Sequence, residues 1–555
     1  MPSLLTTTKS VHELVASFSA GEIAIPEIQR DVVWKPDQVK ELIDSINLGY
    51  PCGSLIFWEP REKDAQLVRS MIRPERLVKQ GLKLPRYFLL DGQQRLTALA
   101  SVFLNREGLK ELLAELSEDM PYIVVNVKRF PKEIEASTDP MLNKFPWMLL
   151  NRLFDGTIQN DPGIQALPPD QRAKLTSYSQ RVRDYVFPVQ IIQDQDYPAV
   201  AEIFRRVNSL GTQLTGAEIQ LARIVPHWKG ITKDFREYRQ QLQNQRYELD
   251  LTFLMRAVAV VECNAAQPKK LAEKIAKDRP SRVHLNKTWN KARAAMDKVI
   301  KVLKDGLLLD KSKYFTSKNA LVPLVYYFAR DLSKKPAAKN AQRFFLLSQL
   351  SGHYSAAGET ALRKDFHLFS DSATPKSGMA ELVKSVEQEA RREYRGLKLL
   401  PKDIYGVTSR NILVLLMYIL MRRKDATDWG NENALPLEEL EPKNTQLHHI
   451  FPFNFMMNDK GAEDGRVSED LSPSEFRGEV NDIANMTFLS QLRNVSIADR
   501  PPSEYLPNET TKEMRRAHFI PENPALWKAE NFASFLEERR KLLAIAMTRL
   551  LKSIK

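Results

Sequence analysis

The sequence predicts a multidomain α+β protein that is mostly helical, with an N-terminal α/β domain, a helical middle region and a C-terminal helical domain containing a strand–strand–helix motif. The chain has 555 residues, whereas a single domain usually holds roughly 100–200. Strand-like and helical runs mix in the first 130 residues, and helical periodicity dominates from about residue 196 onward. We expect domains over residues 1–230, 231–424 and 425–555.

The composition is that of a folded protein without disulfide bonds or membrane spans. Hydrophobic residues make up 43% of the chain, which excludes a disordered protein. Cys52 and Cys263 are the only cysteines, so we expect a reducing cytoplasm and a metal site, if present, made of histidine, asparagine or carboxylate side chains. The longest apolar run, residues 412–421, is about half of a bilayer span. We therefore expect a soluble, unexported protein with no membrane partner.

The positive charge of the chain is concentrated in one segment. The formal net charge is +13, and residues 269–318 contain fifteen basic and five acidic residues, a net charge of +10. An amphipathic helix is predicted within this segment, and Lys291, Lys298 and Lys301 lie off its apolar face. We expect DNA as the polyanionic partner of this segment, with these lysines as contacts to its backbone. A solvated helix face, the usual place of lysines, remains the alternative.

Helices and strands alternate in the N-terminal domain. Apolar residues at helical spacing predict a helix that Gly49 ends: Val39, Leu42, Ile43 and Ile46. Three apolar runs predict buried strands over residues 54–58, 86–90 and 122–127. Helical spacing returns from Leu96 onward, and a capping box at Thr215 and Glu218 opens a later helix.

A glycine turn joins the strand over residues 86–90 directly to the helix that follows it. The junction reads Leu90-Asp91-Gly92-Gln93-Gln94-Arg95. Such a junction directs backbone N–H groups and the positive end of a helix toward a ligand, and phosphate commonly binds there. Arg95 can hold phosphate oxygens through two hydrogen bonds, and Asp91 can bind magnesium or orient a water. The alternative is that Asp91 only caps the helix while Arg95 and the glutamines are solvated.

Four sequence blocks in this part resemble one known family. They are Ile25-Pro-Glu-Ile-Gln29-Arg30-Asp-Val-Val-Trp34, Gly53-Ser-Leu-Ile-Phe-Trp58, Leu90-Asp91-Gly-Gln-Gln-Arg95-Leu-Thr-Ala-Leu and Ile203-Phe-Arg-Arg-Val-Asn208-Ser-Leu-Gly-Thr212. In this order, over roughly residues 8–225, they resemble the N-terminal domain of GmrSD-type modification-dependent restriction enzymes. That domain is similar to the ParB/sulfiredoxin-like nucleotide-binding fold. The resemblance implies that GTP, ATP or CTP is bound and hydrolysed, without a Walker A motif. The implied nucleotide-site residues are Gln29, Arg30, Asp91, Gly92, Gln93, Gln94 and Arg95, with Asp91 also catalytic.

The C-terminal part contains a second candidate site. A polar, acidic stretch over residues 425–444 predicts a linker in front of it. After this stretch, His448 and His449 lie side by side in a strand-like run. A second strand begins near Asn485, and a helix begins near Asn494. A structural pair of histidines at the end of a strand remains the alternative.

This strand–strand–helix pattern resembles the ββα-metal, or HNH, nuclease motif in the variant that ends GmrSD-type proteins. The resemblance implies that His449 is the general base and that Asn485 accepts a hydrogen bond from it. It also implies that His448 and Asn494 bind a divalent metal, Mg²⁺ or Mn²⁺. Because both ligands are neutral, we expect weak binding of Mg²⁺ and comparatively better binding of Mn²⁺. Arg500 is implied as a contact to the scissile phosphate, and a plain turn arginine is the alternative.

Taken together, these resemblances predict a nucleoside-triphosphate-responsive endonuclease that cuts modified foreign DNA, such as phage DNA, in the cytoplasm of a prokaryote. The partners implied are double-stranded DNA and the nucleotide, and a homodimer remains open. A different class of function also remains open: a ParB-like, nucleotide-switched DNA-binding protein or an abortive-infection effector whose nuclease unit is degenerate. The intact His449, Asn485 and Asn494 argue against degeneracy.

Overall fold

The computed structural model divides the chain into two compact units, Met1–Thr232 and Lys233–Lys555. It describes residues 3–26, 36–65, 72, 77, 81, 84–113, 122–130, 134–137, 144–208, 215–330, 335–355, 357–371, 374–409, 411–430, 434–441, 444–457 and 472–554. Two of the predicted nucleotide-site residues, Gln29 and Arg30, lie outside these ranges. The division into three functional domains stays a prediction.

A mixed sheet of five strands forms the centre of the first unit. The strand order is β1 (Ser3–Ser10), β8 (Val186–Gln193), β3 (Leu55–Trp58), β4 (Tyr87–Asp91) and β2 (Ile23–Ala24). Strand β8 is antiparallel to β1 and parallel to β3, whereas β4 is antiparallel to β3 and parallel to β2. A separate antiparallel sheet has the order β6 (Ile134–Ser137), β5 (Tyr122–Asn126) and β7 (Trp147–Leu149). The predicted strands correspond to β3, β4 and β5.

Strands β1 and β8 have no counterpart in the sequence-based assignment. Pro188 lies within β8, and a proline cannot donate a ladder hydrogen bond, which argues against a central strand. Yet β8 lies between β1 and β3, with Pro188 opposite Thr8 of β1. Phe187 and Val189 point to one face of β8 and are fully buried, while Pro188 points to the other face and is exposed. Pairing of β8 with β3 begins at Val189, so Pro188 lies outside the part of β8 that pairs with β3.

The first unit also contains nine α-helices within the residues that the structure describes. They are Val11–Ser19, Pro36–Asn47, Glu62–Ala65, Gln93–Leu112, Asn151–Phe154, Pro162–Gln165, Pro169–Asp184, Tyr197–Asn208 and Gly216–Ile224. The helix Pro36–Asn47 confirms the prediction from its apolar spacing. The predicted capping box is also confirmed, because Thr215 and Glu218 bond reciprocally to each other's backbone N–H.

The second unit is mostly helical, as predicted, and the helix Ile231–Asn244 begins at its boundary. Its further helices are Leu251–Cys263, Pro268–Asp278, Arg282–Leu307, Leu321–Ala329, Lys335–Leu350, Gly358–Asp371, Pro375–Glu393, Leu413–Arg422, Phe453–Met457, Pro473–Val480, Gln491–Ile497, Pro502–Glu509, Lys512–Ala517 and Phe532–Ser553. None of the helices in the described ranges is long and apolar enough to cross a bilayer. Strands β9 (Thr445–His449) and β10 (Met486–Ser490) pair antiparallel, and Gln491–Ile497 follows β10. This is the predicted strand–strand–helix order.

The acidic stretch before β9 is packed against the helical region and is not a free linker. The ammonium of Lys311 is fully buried and donates to the backbone oxygens of Leu437 and Leu440, at 3.3 and 3.0 Å. Burial lowers the pKa of Lys311 to about 8. The ammonium of Lys313 donates to the backbone oxygen of Thr445, the first residue of β9, at 2.8 Å. These bonds fix the start of β9.

Gly92 and Gly49 both have a left-handed backbone, but only at Gly92 would an added side chain also meet a neighbouring atom. Both glycines have positive φ, +92° and +73°. A Cβ at Gly92 would overlap the side chain of Leu55, whereas a Cβ at Gly49 meets no heavy atom within 4 Å. We expect Gly49→Ala to lower the free energy of unfolding by about 1 kcal/mol, and Gly92→Ala by at least about twice as much. Urea unfolding of both variants measures the difference, and equal losses would show that Leu55 moves aside without cost.

Candidate functional site

Strands β9 and β10 bring the two adjacent histidines to one end of a two-stranded sheet. His449 lies opposite Met486, and His448 lies opposite Thr487. Successive residues of a strand point to opposite faces, so the two rings have different surroundings. His448 is buried, with 2% of its surface exposed, whereas His449 is half-buried.

The ring of His449 is held by Asn481, a residue that the sequence analysis does not name. Nε2 of His449 lies 3.1 Å from Oδ1 of Asn481. The amide nitrogen of Asn481 donates to the backbone oxygen of Arg477 at 2.9 Å, so its oxygen faces the histidine. Because an amide oxygen only accepts hydrogen bonds, Nε2 of His449 carries the hydrogen and Nδ1 keeps the lone pair. Nδ1 is therefore the atom that can act as a base.

The charge state of His449 also suits a base. Burial lowers the pKa of His449 below the usual histidine value of 6.5, and the hydrogen bond to Asn481 partly opposes this shift. The imidazole is therefore mostly neutral at pH 7. A neutral imidazole can take a proton from water, whereas an imidazolium cannot.

The side chain of Asn485 bonds to backbone groups and not to His449, whose ring is paired with Asn481, so the predicted hydrogen bond between Asn485 and His449 is corrected. The side chain of Asn485 is fully buried, and its amide nitrogen donates to the backbone oxygens of Phe451 and Val480, at 3.0 and 2.9 Å. Its Oδ1 accepts from the backbone N–H of Phe451 at 2.8 Å. The two bonds to Phe451 join the segment after β9 to the segment before β10, and the bond to Val480 lies within the latter segment. Asn485 thus positions the loop that begins at His449, while Asn481 contacts the ring.

The side chains of His448 and Asn494 face each other, and their role as metal ligands stays a prediction. Nδ1 of His448 lies 2.6 Å from Oδ1 of Asn494, and the amide nitrogen of Asn494 donates to Oε1 of Gln446, also at 2.6 Å. Burial lowers the pKa of His448 to about 4, so the ring is neutral at physiological pH. Nε2 of His448 is buried and has no hydrogen-bond partner in the described part of the chain.

The donor set of this pair fits a divalent cation without holding it strongly. An imidazole nitrogen and an amide oxygen are both metal ligands, and the ring of His448 is neutral at physiological pH. Because Nδ1 of His448 donates to the amide oxygen of Asn494 in this structure, an ion between these two atoms requires the other tautomer, with the hydrogen on the buried Nε2. Within the described ranges there is no group of three or more His, Cys, Asp or Glu side chains that could bind a metal. The remaining ligands of an ion bound here would come from water and substrate phosphate.

A buried arginine fixes the segment that carries Asn485. The guanidinium of Arg539 is fully buried and donates to five backbone oxygens at 2.7–3.3 Å. These oxygens belong to Ile483, Ala484, Met486, His518 and Phe519. Burial lowers its pKa to about 9, which leaves the side chain charged at pH 7.

The neighbouring Arg540 forms a buried ion pair with Asp482, at 2.7 Å. Asp482 in turn accepts from the backbone N–H of Ala484 and of Gly406, at 2.7 and 2.9 Å. The sequence contains one signal of this arrangement. Arg539 lies at helical spacing between the apolar residues Leu536 and Leu543, where a solvated arginine would not be expected.

Arg500 forms an ion pair and hydrogen bonds within the protein. Its guanidinium lies 2.6 Å from a carboxylate oxygen of Glu509 and also donates to the backbone oxygens of Ile497 and Ser496, at 3.2 and 3.0 Å. The other carboxylate oxygen of Glu509 lies 2.9 Å from Arg493. The predicted role of Arg500 as a phosphate contact stays a prediction, and it requires DNA to compete with Glu509.

In the first unit, Asp91 and Arg95 are brought together at the junction of β4 and the helix Gln93–Leu112. Arg95 lies 3.1 Å from a carboxylate oxygen of Asp91 and donates to the backbone oxygen of Cys52 at 2.9 Å. The guanidinium rests against Gly53, where a Cβ would overlap it. Gln93 is buried and Gln94 is half-buried. The strand–glycine–helix junction is present as predicted, whereas the pairing of its two charged side chains was not predicted, and their role in binding a nucleotide stays a prediction.

The three lysines singled out in the basic segment lie on the helix Arg282–Leu307. Lys291 and Lys301 are exposed, while Lys298 is half-buried and its ammonium lies 5.4 Å from the ring centre of Phe328. The predicted apolar face is confirmed, because its residues are buried: Trp289, Ala292, Met296, Ile300 and Leu303. The predicted contact with DNA stays a prediction.

Comparison with known proteins bears on the first unit directly. Residues 11–225 match the model of the GmrSD restriction endonuclease N-terminal domain. The match includes the junction of Asp91 and Arg95 and supports the resemblance found in the four sequence blocks. The description of this family implies a nuclease and a DNA substrate. The chain is also 21% identical to the uncharacterized protein MJ0686 of Methanocaldococcus jannaschii, over 97% of each chain.

Removing Arg539 tests how strongly it holds the C-terminal site together. We expect Arg539→Met to lower the free energy of unfolding by roughly 3 kcal/mol or more, because five buried backbone oxygens lose their donor. Arg549 lies on the same helix and is exposed, so Arg549→Met serves as the matched control, with an expected loss of less than about 0.5 kcal/mol. Urea unfolding measures both. Similar losses in the two variants would contradict the structural role given to Arg539.

Proposed function

We propose that the chain is a DNA endonuclease whose cleavage site is formed by β9, β10 and the helix Gln491–Ile497. One observation carries this proposal: a neutral His449, oriented by Asn481, lies on the same small motif as the facing ligand pair His448 and Asn494. A base beside a cation site is what hydrolysis of a phosphodiester requires. The match of residues 11–225 to a restriction endonuclease domain supports DNA as the substrate.

His449 has a defined task in this reaction. Its Nδ1 takes a proton from a water, the oxygen of that water bonds to phosphorus, and the bond from phosphorus to the leaving sugar oxygen breaks. The leaving oxygen takes a proton from solvent. Asn481 keeps the other ring nitrogen protonated, and Asn485 holds the backbone after β9 in place. A divalent ion held by His448 and Asn494, Mg²⁺ or Mn²⁺, would neutralise charge on the phosphate.

The N-terminal domain is proposed to bind and hydrolyse a nucleoside triphosphate, GTP, ATP or CTP, and thereby to control cleavage of modified foreign DNA. The support is the strand–glycine–helix junction, where Asp91 and Arg95 meet at the start of a 20-residue helix. The exposed Lys291 and Lys301, with the half-buried Lys298, are proposed to contact the DNA backbone.

One single substitution should remove DNA cleavage alone, and another should remove nucleotide hydrolysis. We expect His449→Ala to lower plasmid cleavage by roughly 10²–10⁴-fold and to leave nucleotide hydrolysis unchanged, since only the first reaction uses this base. We expect Arg95→Ala to abolish nucleotide hydrolysis and any effect of the nucleotide on cleavage. Plasmid relaxation with Mg²⁺ or Mn²⁺ and release of inorganic phosphate measure the two activities.

Matched controls are His367→Ala and Arg172→Ala, because both side chains are exposed and neither belongs to the proposed sites. Both controls should retain both activities. Equal loss of cleavage and hydrolysis in a folded His449→Ala protein would contradict the separation of the sites. Intact supercoiled plasmid with the native protein would instead favour a nucleotide-switched DNA-binding protein.

The pH dependence of cleavage reports on His449. Because its pKa is lowered, the base stays neutral as the pH falls, and we expect the acid limb of the rate to lie below pH 6.5. Asn481→Asp puts a carboxylate beside the ring, which favours the protonated form and should move that limb upward by about one pH unit. Asn508→Asp changes an exposed asparagine and should not move it. An unchanged limb in Asn481→Asp would show that another group supplies the base.

A further inference from the structure

A single carboxylate holds two arginines in the C-terminal region. One oxygen of Glu509 lies 2.9 Å from the guanidinium of Arg493, and its other oxygen lies 2.6 Å from the guanidinium of Arg500. Glu509 is the last residue of the helix Pro502–Glu509, where a carboxylate faces the negative end of the helix dipole. The helix therefore does not stabilise this charge, whereas the two guanidinium groups do. These three side chains form the Glu509 cluster.

Contacts place this cluster close to His448. The guanidinium of Arg493 rests against Gly430, where a Cβ would overlap it. Trp429, the residue before that glycine, packs against the ring of His448 with the ring centres 5.7 Å apart. Tyr505 packs against the same ring at 6.2 Å, and it lies one helical turn before the carboxylate of the cluster. The cluster and the candidate metal ligand thus share neighbours on both sides.

Arg493 also lies on the same side of its helix as Asn494. Ile497 is buried in the core, and Arg493 and Asn494 are four and three residues before it, so all three lie on one side of the helix Gln491–Ile497. The side chains of Arg493 and Arg500 keep 24% and 35% of their surface exposed. Both guanidinium groups can therefore be reached from solvent.

The carboxylate of Glu509 offers these arginines what a phosphodiester would offer. Each of the two groups carries one negative charge shared by two oxygens, and guanidinium binds carboxylate and phosphate in the same geometry. We infer that Glu509 competes with a backbone phosphate of duplex DNA for Arg493 and Arg500, so that DNA binding moves both arginines from the carboxylate to the phosphate. This inference rests on the proposed function. It makes Arg493 a DNA contact and Glu509 an internal competitor that weakens binding.

The arginines and the carboxylate should differ in their effect on the salt dependence of binding. Each phosphate contact contributes about 0.9 to the slope of log affinity against log salt on duplex DNA. Loss of both arginines should therefore reduce this slope by about 1.8. Loss of the carboxylate leaves the number of phosphate contacts unchanged, so the affinity should rise while the slope stays the same.

The test measures binding of a fluorescently labelled DNA duplex to the full-length His449→Ala protein, which removes cleavage from the measurement, over a series of salt concentrations. Adding Glu509→Gln should raise the affinity by roughly threefold or more, because two partly exposed ion pairs no longer have to be broken. Adding Arg493→Gln and Arg500→Gln should reduce the slope, and Glu509→Gln should then no longer raise the affinity. Arg493→Lys with Arg500→Lys keeps both charges and should retain the parent slope.

Glu530→Gln is the matched control for loss of one negative charge. Glu530 is exposed and lies 3.6 Å from Lys528, so its substitution changes the net charge as Glu509→Gln does without freeing either arginine of the cluster. We expect the Glu530→Gln protein to bind DNA like its parent.

Each outcome decides a separate point. An unchanged slope in the variant without both arginines overturns the inference, and so does equal affinity of the Glu509→Gln and Glu530→Gln proteins. Neither result bears on the proposed function, which plasmid cleavage by the native protein decides. A reduced slope together with tighter binding by the Glu509→Gln protein supports the competition, even if the native protein cuts no DNA. If Glu509→Gln prevents folding, the slope of the arginine variant decides alone, because an arginine that contacts phosphate must first leave Glu509.

Discussion

The guanidinium of Arg539 is the interaction on which the C-terminal site depends. A buried cation normally needs an anion, but here the negative ends of five backbone carbonyls take that place. Two of these carbonyls belong to the short segment between Asp482 and β10, and a third is that of Met486, the first residue of β10. Backbone groups in such an irregular turn have no ladder partners of their own, so one planar side chain supplies them. The long C-terminal helix therefore determines where Asn485 lies, and Asn485 in turn holds the backbone that follows His449.

The candidate site combines two neutral histidines that have different surroundings. His448 is enclosed and paired with an amide oxygen, whereas His449 is half-buried and keeps Nδ1 as its basic nitrogen. Burial lowers both pKa values, so both rings are neutral at neutral pH. His449 can accept a proton at Nδ1 as it stands, whereas His448 must move its hydrogen from Nδ1 to Nε2 before Nδ1 can bind a cation. The absence of a carboxylate from this pair keeps the site uncharged. Such a site gains most of its affinity for a cation only when a phosphate is present.

Hydrophobic periodicity and local turn chemistry predicted many helices and strands, but not the elements and contacts that depend on residues distant in sequence. Strands β3 and β4, the turn at Gly92 and the helix after it follow from apolar spacing and a glycine, because these are local properties. Strand β8 was not predictable in this way, since Pro188 argues against a central strand and only the tertiary structure shows that β3 pairs with β8 from Val189 onward, beyond the proline. Asn481 and Asn485 are four residues apart, and the turn over Ile483–Asn485 decides which of them faces His449. The pairing of Arg500 with Glu509 is likewise a tertiary contact.

The bonds from Lys311 and Lys313 to the acidic stretch and to β9 limit how the site can be moved into another protein. A chain cut at residue 424 would separate the first β9 carbonyl from its lysine and would leave Leu437 and Leu440 without their donor. The strand that carries the histidine pair therefore cannot be joined to an arbitrary preceding sequence without losing these contacts. A transplant of the pair would have to include the segment that carries Lys311 and Lys313.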